Sequence, residues 1–381
     1  MIFRILETKV AKELSDARTA DRRYMELALT LGRRGLGRTS TNPAVGAVVV
    51  KDGVIIGRGW TAPGGRPHAE PLALERAGQA ARGASLYVTL EPCSHHGKTP
   101  PCADAVIAAG IKRVVTAIED PNPEVAGQGH ARLRAAGIAV DVGICAEAAA
   151  RDHAGHFRRV RDGRPHVILK LAVSQDDCIA GPDHRRVAIT GPMAQDRVHL
   201  LRAQCDAILI GIGTALADDP LLTCRLPGMA DRSPRRIVLD SFLRLPPTGR
   251  LAKSARETEA WVLASPSAEA ARATLLGAEG VHVVRSAAAD GQLQLDAVLR
   301  ELSRRGVTRL MVEGGARVAA SLVGAGLVDE VWLLRGPKAI GAGGIPALHG
   351  MPLAAITAAP DFRMRAQETL GDDILTIYDR S

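Results

Sequence analysis

Hydrophobic and polar positions along this chain follow two periods, one near 3.6 residues and one of two. Tyr24, Leu27, Ala28 and Leu31 recur at helical spacing, so an amphipathic helix is predicted over residues 21–36, broken by Thr41-Asn42-Pro43. The apolar run Ala44 to Val50 reads as a strand, turned by Lys51-Asp52-Gly53, with Val54-Ile55-Ile56 as its hairpin partner. Helices are then predicted over 68–82, 103–109 and 131–136, and strands over 84–90, 111–117 and 138–142, with Gly110 and Gly137 ending two of the helices. This alternation argues for an α/β layer fold. The stretch from Arg151 to Pro165 is charged and reads as a loop, and Val167 to Ala172 opens a new strand. Two domains are therefore expected, 21–162 and 163–381. In the second, strands are predicted at 207–210, 236–240, 260–264, 309–313 and 330–334, and helices at 191–203, 293–305 and 316–325. No internal repeat or low-complexity segment is visible, so the second half is its own α/β domain.

Composition narrows the class. At 381 residues the chain exceeds the ~100–200 of an ordinary domain, which agrees with two cores. Aromatic residues are only 3%, so those cores rest on Ala, Val, Leu and Ile. No apolar run approaches the ~20 residues that cross a bilayer, so no membrane partner is expected. The start, MIFRILETKVAKELSD, has an early acidic residue and no apolar stretch before a small-residue cleavage site; a cytoplasmic enzyme without a signal peptide is expected. The 6 cysteines are scattered and do not read as a disulfide framework. A net charge of +8 admits nucleic acid or phosphorylated small molecules. Without a basic run or a basic-aromatic cluster, nucleic acid is not the expected partner. A homo-oligomer is compatible with this sequence.

The strongest chemical signal is His68-Ala69-Glu70, followed by Glu91-Pro92-Cys93 and then Pro101-Cys102. A catalytic zinc wants three protein ligands and an open position for water. One imidazole and two thiolates meet that need, and a carboxylate outside the ligand set moves protons from water to the leaving amine. Zinc nucleobase deaminases use such an order, H-x-E and then P-C-x-x-C. Taken singly, His-x-Glu and the cysteine pair are weak, and Glu70 at a helix start also meets the helix dipole. Here both pieces occur in order, each before a predicted helix. The cysteines are separated by eight residues, Ser94 to Pro101, and that loop carries His95, His96 and Lys98. It is read as substrate-facing, with Lys98 near a phosphate. A fourth ligand from His95 or His96 would instead close the site and make the zinc structural.

TLEPCSHHGKTPPC, residues 89–102, resembles the deaminase signature of the bifunctional riboflavin biosynthesis proteins. Thr41-Asn42-Pro43-Ala44-Val45-Gly46 and Asp120-Pro121-Asn122-Pro123 resemble the same family. So do Ile189-Thr190-Gly191-Pro192, Leu201-Arg202-Ala203-Gln204, Ala217-Asp218-Asp219-Pro220 and Val312-Glu313-Gly314-Gly315 in the second half. The resemblance implies a three-layer, cytidine-deaminase-like first domain and a dihydrofolate-reductase-like α/β second domain. It implies hydrolytic deamination of a phosphoribosylamino-pyrimidine, then NADPH-dependent reduction of its ribosyl group to ribityl. Carried over by motif, His68, Cys93 and Cys102 would hold zinc, Glu70 would shuttle protons and Asn42 would face the pyrimidine.

The second half also carries strands that run into glycines. Ile208-Leu209-Ile210-Gly211-Ile212-Gly213-Thr214 is one, and Leu310-Met311-Val312-Glu313-Gly314-Gly315 is another that leads into a helix whose amides can hold a diphosphate. By resemblance, Ala172, Thr214, Asp218, Ser241, Gly314 and Gly315 would contact the cofactor, and Arg202, Leu222, Arg225 and Glu313 the substrate. The family's common Ser-Leu-Asp-Gly run appears here as Ser174-Gln175-Asp176-Asp177. A frequent aromatic is Ala188, a nearby serine is Arg186, and Thr61 stands where the family often has histidine. The departures within 174–188 favour an alternative in which the second domain only binds or oligomerises; the threonine at 61, in the first domain, has no physical explanation. The intact glycine exits and the Asp218-Asp219-Pro220 turn favour the reductase.

Overall fold

Ala47 and Val49 lie in one core of the first unit, Val48 and Val50 in another, and all four are buried. A strand that alternates in this way with both faces covered must sit between two layers. The computed structural model describes residues 18–381 apart from Lys98, Asp183, His184 and Arg186. Lys98 and Arg186, singled out above, thus lie outside the described residues, as do 1–17. The chain divides into two compact units, Met1–Asp162 and Gly163–Ser381.

The first unit holds β1 (Gly46–Lys51), β2 (Val54–Trp60), β3 (Ser85–Val88), β4 (Arg113–Thr116) and β5 (Ala139–Val142) in the order β2-β1-β3-β4-β5. β1 runs antiparallel to β2 and β3, while β3, β4 and β5 are parallel. Its helices are α1 (18–32), α2 (Ala69–Ala77), α3 (Cys102–Ala108), α4 (Gln128–Ala135), α5 (Ala146–Asp152) and α6 (Ala154–Asp162). Ala73, Val106 and Leu133 of α2, α3 and α4 pack on one face of the sheet. Met25 and Ala28 of α1, with Ala149 of α5, pack on the other. The loop expected from Arg151 is a correction: α5 and α6 cover 146–162 save for a turn at His153. Charge hid these helices, because only His153, Gly155 and Phe157 of residues 151–162 are buried.

The second unit is built on β6 (His166–Val173), β8 (Ala207–Gly211), β9 (Arg235–Leu239), β10 (Ala260–Ala264), β11 (His282–Arg285), β14 (Arg309–Glu313), β15 (Glu330–Arg335), β17 (Phe362–Leu370) and β18 (Asp373–Arg380). Two small pairs complete it, β7 (Cys178–Ala180) with β16 (Ile345–Pro346) and β12 (Ala288–Ala289) with β13 (Gln292–Leu293). The 9-stranded order is β11-β10-β9-β8-β14-β6-β15-β18-β17. All pairings from β11 to β15 are parallel, and β18 and β17 add antiparallel. Helices α7 (Pro192–Ala203), α8 (Ile212–Asp218), α9 (Arg250–Lys253) and α10 (Ala270–Ala278) pack on one face, α11 (Leu295–Arg304), α12 (Ala316–Gly324) and α13 (Ala354–Thr357) on the other. The glycine loop expected after β8 is instead the first turn of α8. In parallel sheets, ligands bind beyond the carboxyl ends of the strands. Ala172, Gly211 and Glu313 lie at or just before those ends on β6, β8 and β14, and Ser241 lies two residues beyond the end of β9; the four strands are adjacent in the sheet.

Candidate active sites of the two units

Helix α2 starts immediately after His68, which places Glu70 in its first turn, and Glu70 is buried. Helix α3 begins at Cys102, whose amide donates to Cys93 Sγ at 3.3 Å, while the Ala103 amide donates to the Cys93 carbonyl at 3.2 Å. Two helix starts thus converge on one point. His68 Nδ1 lies 3.3 Å from Cys102 Sγ and 3.8 Å from Cys93 Sγ. Zinc bonds of 2.0–2.3 Å in a tetrahedron set ligand edges of about 3.3–3.8 Å, so this donor set fits zinc. Neither His95 nor His96 belongs to the group, so the candidate donors among the described residues number three, a number that matches a catalytic zinc site with a position for water. His68 Nε2 and Ser94 Oγ are buried without a partner, polar atoms that a substrate or water would satisfy.

Electrostatics agree with a site that binds a cation. The Cys102 thiol, donating to Cys93, and then His68 draw the Cys93 thiol down to about 4, and the same bond pushes Cys102 up. Burial pushes the Glu70 carboxyl up to about 7, against the pull of His68. A carboxyl titrating there can both take and return a proton near neutral pH.

Sequence reasoning singled out Glu91 only as part of a motif. Its carboxylate accepts the amides of Asp120 at 3.3 Å, Gly127 at 3.0 Å and His130 at 3.1 Å. Those amides precede or open α4, which has no side-chain cap of its own. Asn42 lies over Gly65, where a Cβ would come 2.3 Å from Asn42 Nδ2, so only glycine (φ 89°) fits beneath it. The Thr61 hydroxyl donates to the Pro43 carbonyl and accepts from the Val45 amide, both at 3.0 Å, and so fixes the Asn42-Pro43 turn.

In the second unit Glu313 ends β14 and receives Arg202 Nη2 at 2.6 Å and Lys170 Nζ at 3.2 Å. Lys170 was missed from the sequence. It lies inside the apolar run of β6, and only the register that sets Glu313 beside Lys170 reveals the pair. Arg202 Nη1 also donates to the Thr223 carbonyl at 3.0 Å. Burial opposes the Glu313 charge, but Arg202 and Lys170 hold the carboxyl down to about 2. Gly314 and Gly315, at φ 88° and 82°, open α12, and a Cβ on Gly315 would lie 3.1 Å from Thr214 Oγ1. That cradle beside amides fits a diphosphate. Leu222 is buried in the core at φ 56°, a strained conformation for leucine. The Arg225 amide donates to His199 Nδ1 at 3.4 Å. Asp218 is exposed at the end of α8, and Ser241 is half-buried beyond β9, one strand removed from β14.

Residues 165–376 match the family model described as RibD C-terminal domain, and residues 18–118 match the cytidine and deoxycytidylate deaminase zinc-binding region. Riboflavin biosynthesis protein RibD of Escherichia coli is 41% identical over 367 residues, 93% of this chain and 98% of that one. The chain belongs to the RibD family. RibD of Aquifex aeolicus is 39% identical over 95% of this chain and 99% of its own. Among solved structures, Acinetobacter baumannii RibD superposes with a TM-score of 0.84 at 34% identity, covering 96% of this chain and 99% of that one. A Thermotoga maritima diaminohydroxyphosphoribosylaminopyrimidine deaminase/5-amino-6-(5-phosphoribosylamino)uracil reductase gives 0.83 at 34%, covering 96% and 100%. As a RibD, the chain pairs a cytidine-deaminase-like unit that uses zinc with a dihydrofolate-reductase-like unit that uses NADPH, in riboflavin biosynthesis. The reading of the second unit as a mere binding module is not supported. No helix among the described residues is long and apolar enough to cross a membrane.

Proposed function

We propose that His68, Cys93 and Cys102 hold the zinc of the deaminase, that Glu70 carries its protons and that Asn42 orients the pyrimidine. Zinc, when bound, makes water a nucleophile near neutral pH. Glu70 would accept a proton from that water as the water oxygen bonds to the ring carbon, and deliver it to the amine as the carbon–nitrogen bond breaks and ammonia leaves. The observation that carries this is the three-ligand cluster with a buried carboxyl two residues from its histidine. In the reductase, bound NADPH would supply the hydride that reduces the ribosyl group. The Gly314-Gly315 cradle and Thr214 hold its diphosphate, Ala172, Asp218 and Ser241 line the rest, and Arg202, Arg225, Glu313 and the Leu222 backbone hold the substrate. Domains of 21–162 and 163–381, a phosphorylated pyrimidine substrate, a cytoplasmic setting and a homo-oligomer belong to the same reading.

The test follows ammonia release and NADPH oxidation separately in the zinc-loaded protein. Glu70→Ala should lower ammonia release by at least ~100-fold, keep its zinc, and still oxidise NADPH on pre-deaminated substrate. Ammonia release at parental rate in that variant would refute the assignment of Glu70.

A further inference from the structure

The Thr61 hydroxyl is occupied by the Asn42-Pro43 turn. Past Thr61 the backbone turns through Gly64 and Gly65 at φ 79° and 89° and delivers Arg66, two residues before the ligand His68. Arg66 Nη1 donates to Thr99 Oγ1 at 2.6 Å, and its Nη2 lies 3.4 Å from where a Cβ on Gly97 would stand. The guanidinium therefore lies along the loop that joins the two thiol ligands. Among the described residues no carboxylate lies within ion-pairing distance of Arg66. A half-buried guanidinium with donors to spare and no anion among the described residues can receive one, and its planar fork suits phosphate oxygens.

We propose that Arg66 determines the deaminase unit's preference for a phosphorylated substrate, binding the phosphate of the phosphoribosyl arm while the pyrimidine occupies the metal site. This rests on the metal-site assignment above. Thr99 braces the guanidinium, and the glycine at 97 leaves room for phosphate oxygens beside it.

The test uses the full-length, zinc-loaded protein with two substrates, the phosphorylated pyrimidine and its dephosphorylated riboside. Arg66→Gln should raise KM for the phosphorylated substrate by roughly 10- to 100-fold with little change in kcat, and leave kcat/KM for the riboside unchanged. Arg66→Lys, which keeps the charge and loses the fork, should fall between. An unmoved KM overturns the proposal. So does an equal loss on both substrates reproduced by Thr99→Val, which would make Arg66 only a brace for its loop. NADPH oxidation on pre-deaminated substrate reports that each variant is folded. Failure of the metal-site assignment is separately visible, because Glu70→Ala would then still release ammonia whatever Arg66 does.

Discussion

Asp177 stands at φ 63°, in the left-handed region, where the family's run ends in glycine. Aspartate tolerates that region better than most side chains, and Arg335 Nη2 meets its carboxylate at 2.7 Å. Its neighbour Asp176 accepts the amides of Ile340 at 2.9 Å and Gly341 at 2.8 Å, so the departure from the family run leaves a turn that is fully bonded. Glu313 shows what charge does at the same scale. Its folded value of about 2 lies below the ordinary 4.5, so its ion pairs stabilise the fold above pH 4.5. That contribution is lost as pH falls from 4.5 towards 2. Glu313→Gln should therefore flatten the acid limb of a stability–pH curve. It should also cost about 3–5 kcal/mol in chemical denaturation, because Arg202 and Lys170 would be left buried without their anion. NADPH oxidation should fall with it while ammonia release persists. Arg202 and Glu313 were legible from their motifs. Lys170 was not, since nothing in an apolar run shows which residue stands opposite on the next strand.

Among the elements, β2 and α2 pack closely beside the deaminase site. Gly57 and Gly59 let the helix backbone lie directly on the strand: a Cβ at Gly59 would come 2.2 Å from the Ala69 carbonyl oxygen. Ala69 sits between His68 and Glu70, so any displacement there moves a proposed ligand and the proton carrier together. Gly59→Ala should destabilise by about 1–3 kcal/mol through overpacking and lower ammonia release by more than zinc loss explains. Thermal unfolding, zinc content and turnover measured on one preparation check this. Periodicity alone revealed β1 and α1, because their apolar positions repeat cleanly. It missed the extension of β2 through Gly57 to Trp60, where packing depends on absent side chains. It also missed β17, in which only Phe362 and Leu370 are buried, so no alternation marks the strand. Helices α5 and α6 were hidden by their charge.

For the whole molecule, each unit contains its own cores and its own candidate site, and the two chemistries draw on different cofactors. Stripping zinc with a chelator should abolish ammonia release, restore it on adding zinc back, and leave NADPH oxidation on pre-deaminated substrate intact. Parallel loss of both signals would show that the reductase depends on the zinc unit. The division into two α/β halves was readable from alternating patterns, and the spacing pointed to the three side chains that the fold brings together as candidate metal ligands. What the sequence could not show was which buried groups tie distant segments together. Glu91 is the clearest of these. Since α4 has no side-chain cap of its own, its opening amides are satisfied by a carboxylate from the segment before Cys93. The two segments are thereby coupled: a change that shifts the strand exit carrying Cys93 also disturbs the anchor of the 120–130 region, so loosening one is expected to loosen the other.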